Sequence, residues 1–294
     1  MNTKSKLPAT SIVITLSHQE IFFLMQELNV STVMGIQTAG KGAVLAKSDD
    51  FATARNSLLE KGLLILPQNG IHDRIHPMLF DFLTPLFFAD TVLMVMRTLN
   101  RNARQLLYFS RKGSALVLHS LPDAQSHRLE RFKSPDQAVE LLHSWFPLKT
   151  PPPANVRFHL SLEEFELFRS QAETGKQKAA LKLLKNQLAT DEEKLSLISG
   201  VQTQNISGSF ALLKLHENEV KEISSSTFFA GEESIWLIEN AKEGPKESLD
   251  IRPLDILFSD AITGWVEKWV GLPQRAKTRV APGTKQKPAP PEKL

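Results

Sequence analysis

The sequence predicts an α+β protein of two similar halves. Each half reads as an N-terminal helix, a variable helical segment, an antiparallel β-meander and a closing helix. Three observations lead there. LSHQEIFFLMQEL (16–28) and LSLEEFELFRSQA (160–172) open with the same Ser-x-x-Glu signature, 144 residues apart. SPDQAVELLHSWF (134–146) and SDAITGWVEKWV (259–270) share one pattern of apolar residues at an offset of 124. Between these bookends each half carries β-rich runs punctuated by turns.

In the first half Ser17 and Glu20 form a capping box, with Ile21, Leu24 and Leu28 on one face of the helix that follows. A second helix is expected from Asp49 to Lys61, stopped by Gly62, then LLIL, a PQNG turn and a helix around His76–Phe88. TVLMVMRTL (91–99), QLLYFS (105–110), SALVLHS (114–120) and HRLERF (127–132) read as strands, with a Lys112-Gly113 turn before the third. The closing helix begins at a Ser134 cap with Pro135 at its first position and Gln137 at its third. Its stripe is Ala138, Leu141, Leu142, Trp145 and Phe146.

The second half repeats this. Ser161 and Glu164 cap a helix bearing Phe165, Phe168 and Ala172. Residues 175–200 read as two helices split at Thr190-Asp191, shorter than the first half's variable segment. SFALLKLH (209–216), VKEISSSTFFA (220–230), SIWLIEN (234–240) and LDIRPL (249–254) supply strands, with turns at Glu217-Asn218 and Gly231-Glu232. Ile262, Trp265, Val266, Trp269 and Val270 form the last stripe. The resulting division is 1–147 for the first half, with a winged-helix-like segment at about 49–90, and 148–155 for a Pro-rich connector. Residues 156–271 form the second half and 272–294 a basic, disordered tail.

Composition restricts the function classes. At 41% hydrophobic and 23% charged, the 294 residues are ordinary globular material. No apolar run is long enough to span a bilayer. The stretch Ser11–Leu16 is too short for a signal core, and no cysteine offers a disulfide, a thiol nucleophile or a thiolate ligand. A cytoplasmic protein is expected. The pI near 9.0 belongs to the tail: Arg275, Lys277, Arg279, Lys285, Lys287 and Lys293 stand against Glu292, and the rest of the chain is slightly acidic.

No constellation of catalytic residues emerges. Gly40-Lys41-Gly42 lacks the P-loop spacing, and NISGSF (205–210) lacks a GxSxG elbow. His72 and His76 are four apart, with Asp73 and Asp81 as further candidate ligands, but Pro77 disfavours helical geometry at His76. Asp191, Glu192 and Glu193 suit the start of a helix. The remaining histidines are scattered. The expectation is a non-enzyme without cofactor or metal. Residues 49–96 also resemble a winged helix, which makes a DNA-binding transcriptional regulator the alternative. The helix after His76, MLFDFLTPLFFAD, carries no basic residue for a groove and suits packing or protein contact better.

The order LLEKGLL, PMLFDFL, VLMVMRTL, QLLYFSRKGSALVLHSL, HRLERF and SPDQAVELLHSWF resembles the EspG family, cytosolic chaperones of type VII (ESX) secretion, over roughly residues 11 to 271. The resemblance implies two halves about a pseudo-twofold axis and a central antiparallel sheet flanked by helices. It implies helical secretion substrates as partners, either PE–PPE-like heterodimers or WxG-type hairpins. It implies no small-molecule substrate, no nucleic acid and no membrane insertion. A scaffold or immunity-type protein is a third alternative. From the residues themselves, the aromatics Phe228, Phe229 and Trp236 near a strand end are the candidate partner-binding set. The competing expectation places them beneath the closing helix of Trp265 and Trp269.

Overall fold

The computed structural model describes residues 12–36, 48–66, 74–148, 156–232, 234–241, 248–254 and 258–272. The chain opens with β1 (Ile12–Ser17), α1 (His18–Glu27), α2 (Ser48–Glu60), two short strands β2 (Leu64–Ile65) and β3 (Arg74–Ile75), and α3 (Pro77–Phe87). The meander β4 (Thr91–Leu99), β5 (Ala103–Lys112), β6 (Ala115–Ser120), β7 (Ser126–Phe132) and helix α4 (Pro135–Trp145) follow. Next come β8 (Phe158–Ser161), α5 (Leu162–Glu173), α6 (Gln177–Leu183) and α7 (Asp191–Gln202). The chain then forms β9 (Ile206–His216), β10 (Glu219–Ala230), β11 (Ile235–Asn240), β12 (Ser248–Pro253) and α8 (Phe258–Val270).

Ten strands form one sheet in the order β1-β7-β6-β5-β4-β9-β10-β11-β12-β8, every neighbouring pair antiparallel. Read from either edge the order is the same once β1 is matched with β8 and β4 to β7 with β9 to β12. The registers carry the match to single residues. Aligning the helix caps Ser17 and Ser161 pairs Leu16 with Leu160, Leu129 with Ile251, Val117 with Trp236 and Phe109 with Phe228, all of them buried. Continued to the centre, it matches Val95 of β4 with Phe210 of β9, which face each other across the strand pair that joins the halves.

Local chemistry sets the element ends. Ser17 accepts from the Glu20 amide at 3.2 Å while Glu20 accepts from the Ser17 amide at 2.6 Å, and Ser161 and Glu164 repeat the box at 3.1 and 2.8 Å. Thr190 and Glu193 form a third such box on α7. Ser134, expected to cap α4, makes no side-chain cap bond; Gln137 instead accepts from the Lys133 amide at 2.6 Å. The β9–β10 turn holds Glu217 and Asn218 at φ 51° and 64°, the double positive-φ geometry of a tight hairpin. Three helix C-termini are capped by arginines. Arg97 donates to Trp145 O, Arg111 to Val270 O, and Arg101 to Val201 O and Gln202 O.

The two faces of the sheet are covered differently. On one face α1, α2 and α3 bury Ile14, Leu16, Val117 and Leu129. On the same face α5, α6 and α7 bury Phe158, Leu160, Phe229, Trp236 and Ile251. The opposite face carries α4 and α8 packed together over Leu93, Val95, Phe109, Phe210 and Phe228. Phe228 meets Phe258 at 4.9 Å and Phe146 at 5.2 Å between ring centroids, while Trp265 stacks on Phe210 at 5.8 Å.

Candidate protein-binding groove

The aromatics singled out in the sequence are core residues. Phe228 is 1% exposed, Phe229 4% and Trp236 1%. Phe228 lies under α4 and α8, whereas Phe229 and Trp236 point through the other face into the α5–α7 block. Successive strand residues alternate between faces, and here both faces are covered. All three are almost fully buried, and the expectation that they lie beneath the closing helix holds for Phe228 alone.

The other candidates fare as follows. Gly40-Lys41-Gly42, His72 and Asp73 lie outside the described residues, as do the PQNG turn, most of the connector and residues 273–294 of the tail. His76 accepts from the Met78 amide and caps α3, and Asp81 pairs with Arg131. Among the described residues no group of three His, Cys, Asp or Glu is placed to hold a metal. Ser207 and Ser209 belong to β9, and Asp191 to Glu193 form the first turn of α7. Helix α3 buries Leu79, Phe82, Leu83, Leu86 and Phe87 against the sheet, so the winged-helix-like segment is used for packing.

What the sequence left unremarked is the gap between the two helical blocks. They cover the outer strands of their face and leave the central ones partly covered, with Met94 and Leu106 packed beside the small cluster of Ala89, Val92, Tyr108 and Leu213. Met94 and Met96 of β4 and Leu106 of β5 are half-buried there, and Ile223 of β10 is 62% exposed. The register places Met94 opposite Ala211, Met96 opposite Ser209, and Ile223 opposite Leu213, all on the face that carries Phe229. The floor is therefore methionine, leucine, the small side chains of Ala211 and Ser209, and one prominent isoleucine. Methionine's flexible thioether adapts to varied apolar shapes.

A cavity closes each end of this groove. One, about 190 Å³, lies between β4, β9 and the α5–α7 block, with Met96, Phe165, Phe228 and Phe229 in its lining. Arg101, Arg104 and Arg169 also line it. Arg101 is spent on the α7 carbonyls and Arg169 on Glu173, while Arg104 is exposed. The other, about 200 Å³, is lined by Met34, Ile36, Leu86, Ala89, Val92 and Leu215 and holds no charged side chain. The groove runs from an uncharged end, where Thr32 and Asn218 also line the cavity, to a cationic one. Among the described residues that line it there is no nucleophile–base pair and no carboxylate.

No family model matches the sequence, and no curated protein matches it. Among solved structures the chain is similar to the Mycobacterium tuberculosis type VII secretion system chaperone EspG5, determined in complex with a PE25–PPE41 dimer. The TM-score is 0.61 at 11% identity, covering 89% of this chain and 97% of that chain. At that identity the similarity establishes a shared fold. Among the described residues no helix is long and apolar enough to cross a membrane.

Proposed function

We propose that this chain is a non-catalytic, cytoplasmic chaperone or adaptor that holds a helical secretion substrate in the groove over β4 and β9, and that its halves arose by duplication. The observation that carries the reading is the partly covered strip of Met94, Met96, Leu106 and Ile223 between two helical walls, with a cavity at each end. A folded sheet ordinarily covers such a strip in full. The fold's likeness to a chaperone solved with a PE–PPE dimer supports a helical client of that kind or a WxG-type hairpin. The division into residues 1–147 and 156–271 joined by a connector belongs to the same proposal.

The test uses the tagged full chain and two variants, Met94→Asp and Ile223→Asp, as bait for small helical hairpin proteins of the host. Burying a Met or Ile side chain contributes about 1.5–3 kcal/mol, so each variant should weaken binding about 10- to 100-fold. Clients retained by the wild type and lost with both variants support the groove. Clients bound equally by all three proteins would exclude it. Salt-sensitive DNA binding with no protein client would favour a nucleic-acid role instead.

A further inference from the structure

A row of imidazoles crosses the first half beneath α1. His18 Nδ1 lies 2.9 Å from His127 Nε2, and His127 Nδ1 lies 2.9 Å from His119 Nε2. The rings are tilted by only 12° and 23°, so they meet edge to edge in a nearly flat chain. His119 and His127 are 0% and 2% exposed, whereas His18 reaches the surface. Beyond His119 the row continues into the Tyr108 ring, 5.6 Å between centroids. Against Tyr108 lies the backbone of Gly35, where a Cβ would stand 2.5 Å from the ring, and the Met34 backbone lies near His119, whose buried Nδ1 makes no hydrogen bond. Met34 and Ile36 are walls of the uncharged cavity.

The second half shows what this row looks like without histidine. Through the strand registers His18, His127, His119 and Tyr108 match Leu162, Leu249, Ile238 and Thr227. The fold packs aliphatic side chains at the three equivalent positions, so it does not require imidazoles there. Three neutral imidazoles carry three N–H groups and three bare nitrogens, and the two links use two of each. One proton can enter at the exposed end with both links intact. A second must land on a nitrogen already serving as an acceptor, setting N–H against H–N and breaking a link.

We propose that His18, His127 and His119 form a pH-sensitive latch that keeps segment Val30–Ile36 closed against Tyr108 and releases it when the row takes up a second proton. The segment has no titratable side chain of its own. The ionisable groups around the row are mostly engaged. Glu20 of α1 is held by Ser57 of α2 and by Lys61 just beyond it, Asp123 of the β6–β7 turn by the Gln125 amide, and Arg131 of β7 pairs with Asp81 of α3. The Tyr108 phenol is held neutral by burial. Only Asp123 favours protonation of His127, and burial outweighs it, pushing His127 down to about 4 and His119 to about 3. Release moves Met34 and Ile36, and with them the uncharged end of the groove; that consequence alone rests on the proposed function.

Hydrogen exchange of the full chain, corrected for intrinsic rates and read at pH 7.5 and 5.0, tests the latch without a client. Amides of residues 30–36 should lose protection at least tenfold at pH 5.0, while Phe228–Ala230 on β10 stay unchanged. The variant His18→Leu/His119→Ile/His127→Leu, which takes the second half's residues, should abolish the difference. Unchanged protection of 30–36 in the wild type, or the same loss in the variant, would overturn the proposal. ¹⁵N NMR of the wild-type histidines gives a readout that needs no variant: His119 and His127 should stay largely neutral in the protein at pH 5.0, and titration near the ordinary histidine value of about 6.5 would equally overturn the latch. A failed client test with an intact pH effect would remove the groove and leave the latch standing.

Discussion

Replacing His119 by Ile and His127 by Leu should make the protein resistant to mild acid. In the unfolded chain each histidine binds its proton near pH 6.5. In the folded protein burial, and for His119 the neighbouring His127, hold the two at about 3 and about 4. Between those limits the unfolded state binds more protons. The histidines therefore cost nothing above pH 6.5, and stability falls steadily with pH until it levels off below their folded values. At 1.36 kcal/mol per unit, pH 5.0 costs about 2 kcal/mol for each histidine. The pair therefore amounts to up to about 4 kcal/mol out of a typical total of 5–15. Urea titrations of wild type and double variant at pH 7.5 and 5.0 read this directly. The wild type should lose up to about 4 kcal/mol more than the variant between the two pH values. Parallel losses would show that the histidines are not held neutral, and the reasoning would fail.

Two further pairs of substitutions separate equivalent or similar positions by their surroundings. Glu20 is 1% exposed and accepts from Ser17, Ser57 and Lys61, whereas its counterpart Glu164 is exposed. Glu20→Gln should cost about 2 kcal/mol and Glu164→Gln less than about 0.5, read as the difference between two denaturation midpoints; equal costs would mean the buried ion pair contributes nothing. Gly35 and Gly62 have φ +80° and +66°, but an added Cβ meets Tyr108 at the first and open space at the second. Gly62→Ala should therefore cost about 1 kcal/mol, for backbone strain alone, and Gly35→Ala about 3, because overpacking adds to it; thermal melting distinguishes them.

The strands of both meanders were legible because apolar alternation and turn residues coincide, as in TVLMVMRTL before Asn100 or SFALLKLH before Glu217. The edge strands β1 and β8 were missed. IVITLS and FHLS do alternate, with Ile14 and Leu16 or Phe158 and Leu160 inward, but each is short and runs directly into a helix cap that dominates the pattern. The groove lay beyond sequence reasoning for a different cause. Its floor joins Met94 and Met96 to Ala211 and Ser209, residues over a hundred positions apart that meet only because β4 pairs with β9. The aromatics misled for the same cause: Phe228 and Phe229 face opposite ways, and only the sheet's two coverings show that both are enclosed. The histidine row becomes visible once β6 and β7 are in register, setting His127 diagonally beside His119.

The groove follows from how the helices leave their strands. Helices α1 and α5 begin at the residue after the edge strands β1 and β8 end, so each helical block is tethered over the outer strands of one face. The closing helices α4 and α8 follow β7 and β12, pass to the other face and pack on each other across the centre. One face is thus closed at its middle and the other is only partly covered there, whichever side chains fill in. The variable segments then make the two ends unequal. The first half contributes α3 and the 30–36 segment, an uncharged wall; the second contributes α5 and the end of α7, with Arg101, Arg104 and Arg169 nearby. A symmetric frame alone would accept a helix in either direction. With one uncharged and one cationic end, a helix bearing an acidic residue at one tip gains an ion pair only when that tip faces the arginines. The difference between the two ends, rather than the symmetry of the strand order, is what gives the groove a direction.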